Sequence, residues 1–260
     1  MYCCAISSVD NHELIVEVCV DSLESAIASE RGGARRVELC SGLAEGGVTP
    51  SAGLIATTRQ KISIGLHVMI RPRAGDFHYS ADEFDVMRRD VLMAKQLGAD
   101  GVVFGILDLK ANIDIQRTRA LVDLARPLKV TCHRAFDMSA DLFQSLQQVT
   151  ETGADRILSS GGAKTALEGA ATLRRLVGQT GPRAVIMACG GINAQNVQTV
   201  VEKTAVREIH VGLRTAVASP MRYRNENISM GSIAGNEYQR YIVLEEKVAR
   251  LIRAASARDA

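Results

Sequence analysis

Two tetrapeptides near the start of the chain, VEVC (Val16 to Cys19) and VELC (Val37 to Cys40), each place a carboxylate two residues before a thiol. In a β-strand this spacing puts Glu17 with Cys19, and Glu38 with Cys40, on one face. Paired thiols suit a soft metal ion, paired carboxylates suit proton transfer, and either set can also be packed core. Three later runs align more such groups at the same period. LHVMIRPR aligns His67, Met69, Arg71 and Arg73. KVTCHRAFD pairs Thr131 with His133 and turns Cys132 away, and REIHVGLR pairs Glu208 with His210.

Those runs need strands to position them, and the chain supplies strands at regular intervals. GGARRVELC, GADGVVFG and GADRILSSG each set Gly-Ala ahead of a polar residue and an apolar run, the pattern of a helix ending and a strand beginning. The alternation predicts strands near 13–19, 35–40, 64–71, 101–106, 128–133, 155–159, 183–189 and 207–211, with amphipathic helices between them. Eight such units in a chain of 260 residues predict an α/β protein with one domain, a (β/α)8 TIM barrel over residues 13–256. Residues 1–12 form a disordered leader in this reading, and 257–260 a flexible tail. A doubly wound open sheet is the competitor, but no G-x-G-x-x-G follows the first strand. The long connections RPRAGDFHYS (Arg71 to Ser80) and Leu213 to about Gly235 follow strand C-termini, where barrels carry their sites.

Barrel parity then directs Glu17, Glu38, Arg71, His133 and His210 inward, a set too polar for core alone. In one reading they are catalytic, with Glu17 and Glu38 as an acid/base pair, His133 shuttling a proton or polarising a carbonyl, and Arg71 and Arg73 binding an anionic group. In the other, Glu17 and Glu38 are salt-bridged to Arg71 and Arg134 as a barrel plug. His67 and Met69 lie deeper and read as packing. The strand ends SSGG, CGGIN and HVGLR offer a second anion-binding set, Ser160, Gly161, Gly190, Gly191 and Arg214, unless the glycines only make tight turns.

Composition narrows the function classes. The chain has 31 basic and 29 acidic residues, no basic block, and only five Phe and five Tyr, which argues against nucleic acid as partner. No stretch reads as a signal peptide or a membrane span, so a cytoplasmic location is expected, with its six cysteines as reduced thiols.

The segments EVCVDS, RVELCSGLAEGGVTPS, MIRPRAGDF, HRAFDM, ALEG and SPMRYRN resemble the signature segments of the CutC family, the copper homeostasis proteins, in order from Glu13 to Ile252. The resemblance implies a single (β/α)8 barrel, a cytosolic homo-oligomer (a dimer), and a role in copper handling with Cys19 and Cys40 as Cu(I) ligands. Cys3 and Cys4 fall outside it. Two functions are therefore expected side by side. One is Cu(I) binding by Cys19 and Cys40 in a near-linear pair, with Met69 or His67 as a third ligand. The other is an enzyme acting on a small polar, sugar-like or phosphorylated substrate at the barrel mouth. The absence of an exposed C-x-x-C weighs against rapid metal hand-off, and the absence of H-x-H or E-x-x-H spacing weighs against a hard divalent ion.

Overall fold

Short β-branched runs flanked by longer amphipathic segments fold as the pattern demands. In the computed structural model, which describes residues 14–225, 227–230 and 237–256, the strands are β1 (Ile15–Val20), β2 (Arg36–Leu39), β3 (Gly65–Met69), β4 (Gly101–Phe104), β5 (Lys129–Cys132), β6 (Arg156–Ser159), β7 (Val185–Ala188) and β8 (Glu208–Val211). They are parallel and close in sequence order, β8 pairing with β1 through Glu17 opposite His210. Around them run α1 (Leu23–Arg31), α2 (Ala52–Lys61), α3 (Ala81–Gln96), α4 (Ile115–Ala125), α5 (Leu142–Glu151), α6 (Ala170–Thr180), α7 (Val197–Thr204) and α8 (Glu245–Ser256). The chain is thus a (β/α)8 barrel, as its sequence predicts. The leader 1–12, with Cys3 and Cys4, and the tail 257–260 lie outside the described residues. Among those described, no helix is long and apolar enough to cross a membrane.

Local chemistry sets the helix boundaries. Ser22, Ser51, Asp114 and Asp141 accept from backbone N–H groups of the first turn, and Ser80 with Glu83 closes a full capping box on α3. The long connection after β8 is partly ordered as a hairpin, β9 (Arg214–Ala218) against β10 (Gln239–Val243). Core packing lies mainly between sheet and helices, where Val18, Val37, Leu66, Val68, Val102, Val130, Ile157 and Ile209 are fully buried. The outward positions carry the apolar core, which leaves the barrel interior open to polar groups.

The repeated Gly-Ala-Asp now has a physical role. Gly98 and Gly153 sit at φ of +84° and +83°, a conformation that favours glycine. The aspartates two residues on clamp the preceding strand. Asp100 Oδ2 accepts from the Leu66 N–H at 2.8 Å and from Arg59 at 2.7 Å, while Asp155 Oδ2 accepts from the Val130 N–H at 2.9 Å and from Arg126 at 2.7 Å. Each joins the base of one strand to the helix before it. Partial burial opposes the Asp155 charge, but hydrogen bonds from Arg126, the Val130 N–H and Lys129 hold its carboxyl at about 2, below the usual 3.8. A depressed folded pKa stabilises the native state above the unfolded value and is lost as pH falls through the folded one. The stability advantage of wild type over Asp155→Asn in urea unfolding is therefore expected to be constant near neutrality and to shrink as pH drops from about 4 toward about 2. A gap that does not change across that range contradicts the assignment.

Candidate functional site

The lowest interior layer is ionic. Arg36, which shares the inward face of β2 with Glu38 and Cys40, donates from Nε to Glu17 and from Nη2 to Glu208 at 2.6 Å. Glu208 also accepts from Arg156 Nε at 2.8 Å, and His67 Nδ1 lies 3.7 Å from Glu17. Glu17 has no exposed surface. Burial opposes its charge, but Arg36 and then His210 hold it ionised, well below the usual carboxylate range. The salt bridges expected from Glu17 and Glu38 to Arg71 and Arg134 are not formed among the described residues. The register puts Glu17 beside Arg36, and Cys19 beside Glu38, while carboxylate oxygens of the two glutamates lie within 4.8 Å of each other and of His210. Glu17 spends its carboxylate on Arg36 and His210.

His210 carries that order upward. Its Nδ1 meets Glu17 Oε1 at 2.7 Å and its Nε2 faces Glu38 Oε2 at 3.7 Å. Above it, Cys19 Sγ and Cys40 Sγ stand 3.9 Å apart, and Cys40 Sγ lies 3.5 Å from Glu38 Oε2. The Cys40 hydrogen bond, helped by His210 against the cost of burial, draws Cys19 down to about 5, a thiolate at neutral pH. The same bond, with burial, pushes Cys40 up. Burial and the charge on Cys19 raise Glu38 well above the carboxylate range. Burial works against a charged His210, but its acidic neighbours and Cys19 raise it well above the ordinary histidine value. His67 is driven by burial to about 4 and is neutral. The cations Arg36, Arg156 and His210 face the anions Glu17, Glu208 and Cys19 in this lower cluster, so an ionised Glu38 adds a further negative charge beside Cys19.

The uppermost layer forms a mouth. Arg71 spends its guanidinium on the carbonyls of Glu45, Gly47 and Gly75 and lies over Phe77, pinning the loops after β2 and β3 together. His133 Nδ1 accepts from the Ala135 N–H at 3.1 Å, which leaves the proton of the neutral ring on Nε2. Burial and then the Arg71 charge push this histidine down to about 3. Cys19, Glu38, Met69, Arg71, His133 and His210 line a chamber of about 130 Å³. It shares Arg71, Phe77 and Arg134 with an outer vestibule of about 930 Å³. Three buried atoms of chamber-lining residues have no partner among the described residues, Glu38 Oε1, His133 Nε2 and Arg71 Nε.

The expected anion-binding residues are divided by the structure. Ser160 and Gly161 turn around the chain's own carboxylate. Asp137 accepts from the Ser160 N–H and Oγ and from the Gly162 N–H, while Gly161 N–H donates to Ser159 Oγ. The cradle at the end of β6 is therefore filled from within, by an aspartate that the sequence reading passed over because it lies beyond the strand in HRAFDM. Arg73 is likewise engaged, with Glu83 at 2.6 Å, Asp76 at 3.1 Å and the His78 carbonyl. Gly190, Gly191 and Arg214 line a separate cavity beside His210. Arg36 and Arg156 were also missed, although period-two parity from Glu38 and Leu158 points to both.

The sequence profile of the CutC family matches residues 14–215. The chain belongs to the CutC family. It is 46% identical over 238 residues to the mouse copper homeostasis protein cutC homolog, covering 91% of this chain and 88% of that protein. A CutC family protein of Chromobacterium violaceum is 47% identical over 226 residues, covering 87% and 92%. A CutC crystal structure from Streptococcus agalactiae superposes with a TM-score of 0.72 at 34% identity, covering 76% of this chain and 97% of that one. In this CutC chain, Cys19, Cys40, Cys132 and Cys189 are buried free thiols, and only the first two approach each other among the described residues.

The ionic base of the CutC barrel makes a direct prediction. Arg36→Met strands Glu17 and Glu208 without their shared cation, and removing one partner of a buried pair typically costs about 3–5 kcal/mol. A urea unfolding midpoint unchanged from wild type contradicts that role.

Proposed function

We propose that the Cys19–Cys40 pair binds Cu(I) delivered through the barrel mouth. The observation that carries this reading is the 3.9 Å separation of two buried sulfurs, one of them held as a thiolate. Soft monovalent copper favours such ligands. With metal–sulfur bonds of roughly 2.3 Å, as in zinc thiolates, this span corresponds to a bent angle of about 116°. That differs from the near-linear pair expected from the sequence and leaves room for a third ligand. Met69 shares a buried cluster with both cysteines and lines the chamber, so its thioether is the candidate for that place. His67 does not fit, because its Nδ1 faces Glu17 and its Nε2 edge abuts Gly101. The names of the mouse and human relatives as copper homeostasis proteins support the same reading.

The test is a competition titration of reduced protein against a chromophoric Cu(I) chelator. Wild type and Glu38→Gln are expected to take up one Cu(I) per chain, and Cys19→Ser combined with Cys40→Ser none. Retained stoichiometric binding in the double variant sinks the site.

A second reading is favoured by the unpartnered atoms of chamber-lining residues, Arg71 Nε as well as Glu38 Oε1 and His133 Nε2. Unsatisfied buried polar atoms cost free energy, and Glu38 Oε1 and His133 Nε2 face a space able to hold a small polar group. A protonated carboxyl and a neutral imidazole can donate to a carbonyl or hydroxyl and exchange its proton. Screening polar metabolites for turnover is expected to give a substrate whose conversion falls about a hundredfold or more in Glu38→Gln and in His133→Ala. Full activity in both variants removes the two residues from the chemistry.

A further inference from the structure

The ends of β7 and β8 enclose a cavity of about 610 Å³, a usual size for a small-molecule pocket. Its wall includes Gly190, Gly191, Arg214, Lys247, Arg250 and His210, and no aspartate or glutamate. Lys247 and Arg250 project one turn apart from α8, and neither side chain has an acidic partner among the described residues. Arg214 reaches only Asp21, at 3.9 Å, and otherwise lies against Tyr241, with its Nε buried and unpartnered. Gly190 and Gly191 adopt φ of +94° and +68°, and their N–H groups donate to no described atom. Three cations and the glycine turn thus line one concavity whose wall holds no acid, with Asp21, outside that wall, 3.9 Å from Arg214.

The neighbouring strand end shows what such a turn holds when its ligand is built in. After β6, the Ser160 and Gly162 N–H groups close on the Asp137 carboxylate, with Arg134 Nε on the same group at 2.8 Å. After β7 a glycine turn is again present, with Arg214 and Arg250 at the cavity wall, but no acid lines that wall. We infer that this cavity is the binding site for the phosphate of a small phosphomonoester, whose other end reaches His210 at the wall of the inner chamber. A phosphate dianion matches several converging cations and N–H donors better than a carboxylate, because it offers three acceptor oxygens. A single half-open cavity lined by three basic side chains suits a small molecule and not a nucleic-acid backbone. His210 lines both spaces, so an anchored ligand lies against the acid–base groups. This extends the second reading above and is independent of copper.

The test is calorimetric titration at fixed ionic strength with glycerol 3-phosphate, and with glycerol as the uncharged control. Wild type is expected to bind one equivalent of the ester and no glycerol. Lys247→Ala combined with Arg250→Ala weakens binding about tenfold or more, whereas Arg253→Ala, an exposed cation of the same helix outside the cavity, leaves it unchanged. Lys247, Arg250 and Arg253 are exposed, and melting temperature verifies that the variants fold. Binding is retained in Cys19→Ser with Cys40→Ser, which separates this site from the thiol pair. No saturable binding by wild type, no loss in the double variant, or an equal loss in Arg253→Ala overturns the proposal. If the ester binds as expected but Glu38→Gln and His133→Ala remain fully active in turnover, the anion site stands and the acid–base reading falls.

Discussion

The Arg36 guanidinium is the constraint on which the site depends. It reaches Glu17 on β1 and Glu208 on β8, and Glu208 in turn holds Arg156 on β6. Four strands are thereby tied at the floor of the barrel by charges that share almost no water. Such a network is costly to bury and contributes less to net stability than its short contacts suggest. Its consequence is positional. Glu17 is fixed by Arg36, His210 is fixed by Glu17, and the ring so oriented presents Nε2 to Glu38 and Cys19. A histidine with one nitrogen tied to a carboxylate and the other aimed at a thiolate follows the logic of an oriented acid–base relay. Its height in the barrel is set by a residue that never touches the chamber.

The barrel and the inward direction of its polar residues were legible in the sequence because strand periodicity is local. Val16 and Val18 against Glu17 and Cys19 is a two-residue pattern that any register preserves. Relative height was not legible, because stagger arises only on closure of the sheet. The two glutamates read as one acid/base pair, and carboxylate oxygens of both lie within 4.8 Å of each other and of His210, with Glu17 bonded to Arg36 below and Glu38 lining the chamber. Arg36 was readable in principle, two positions before Glu38 on the same face. Asp137, Lys247 and Arg250 were not, since each enters the mouth region from a turn or a helix whose approach only the tertiary fold defines.

Arg71 shows the same limit from another side. An arginine at a strand's mouth end reads as an anion binder or as the partner of a buried acid. In the structure its Nη donors are used on three loop carbonyls while Nε is left unpartnered, so it shapes the mouth that a ligand must enter. Gly46 and Gly47 permit that approach, with a Cβ at Gly46 falling 3.2 Å from the guanidinium and one at Gly47 falling 3.3 Å from Cys40 Sγ. The loop that Arg71 organises is therefore also the roof over the second thiol, and access to Cys40 passes by way of Cys19.

Charge decides which ion this interior tolerates. Cys40 carries a proton that its neighbours hold firmly, and the cluster below it is already balanced. Exchanging that proton for a monovalent ion leaves the net charge of the buried cluster unchanged. A divalent ion in the same place adds one uncompensated charge where little water can screen it, at a cost of several kcal/mol in the absence of a new counter-ion. For the proposed Cu(I) site, a soft monovalent cation would thus be favoured on two separate grounds, the sulfur ligands and the charge balance beneath them. Glu38 would link the two, because its ionisation would supply the missing negative charge and admit a harder ion. In that proposal the proton on Glu38 would serve both acid–base chemistry and metal selectivity at the thiol pair.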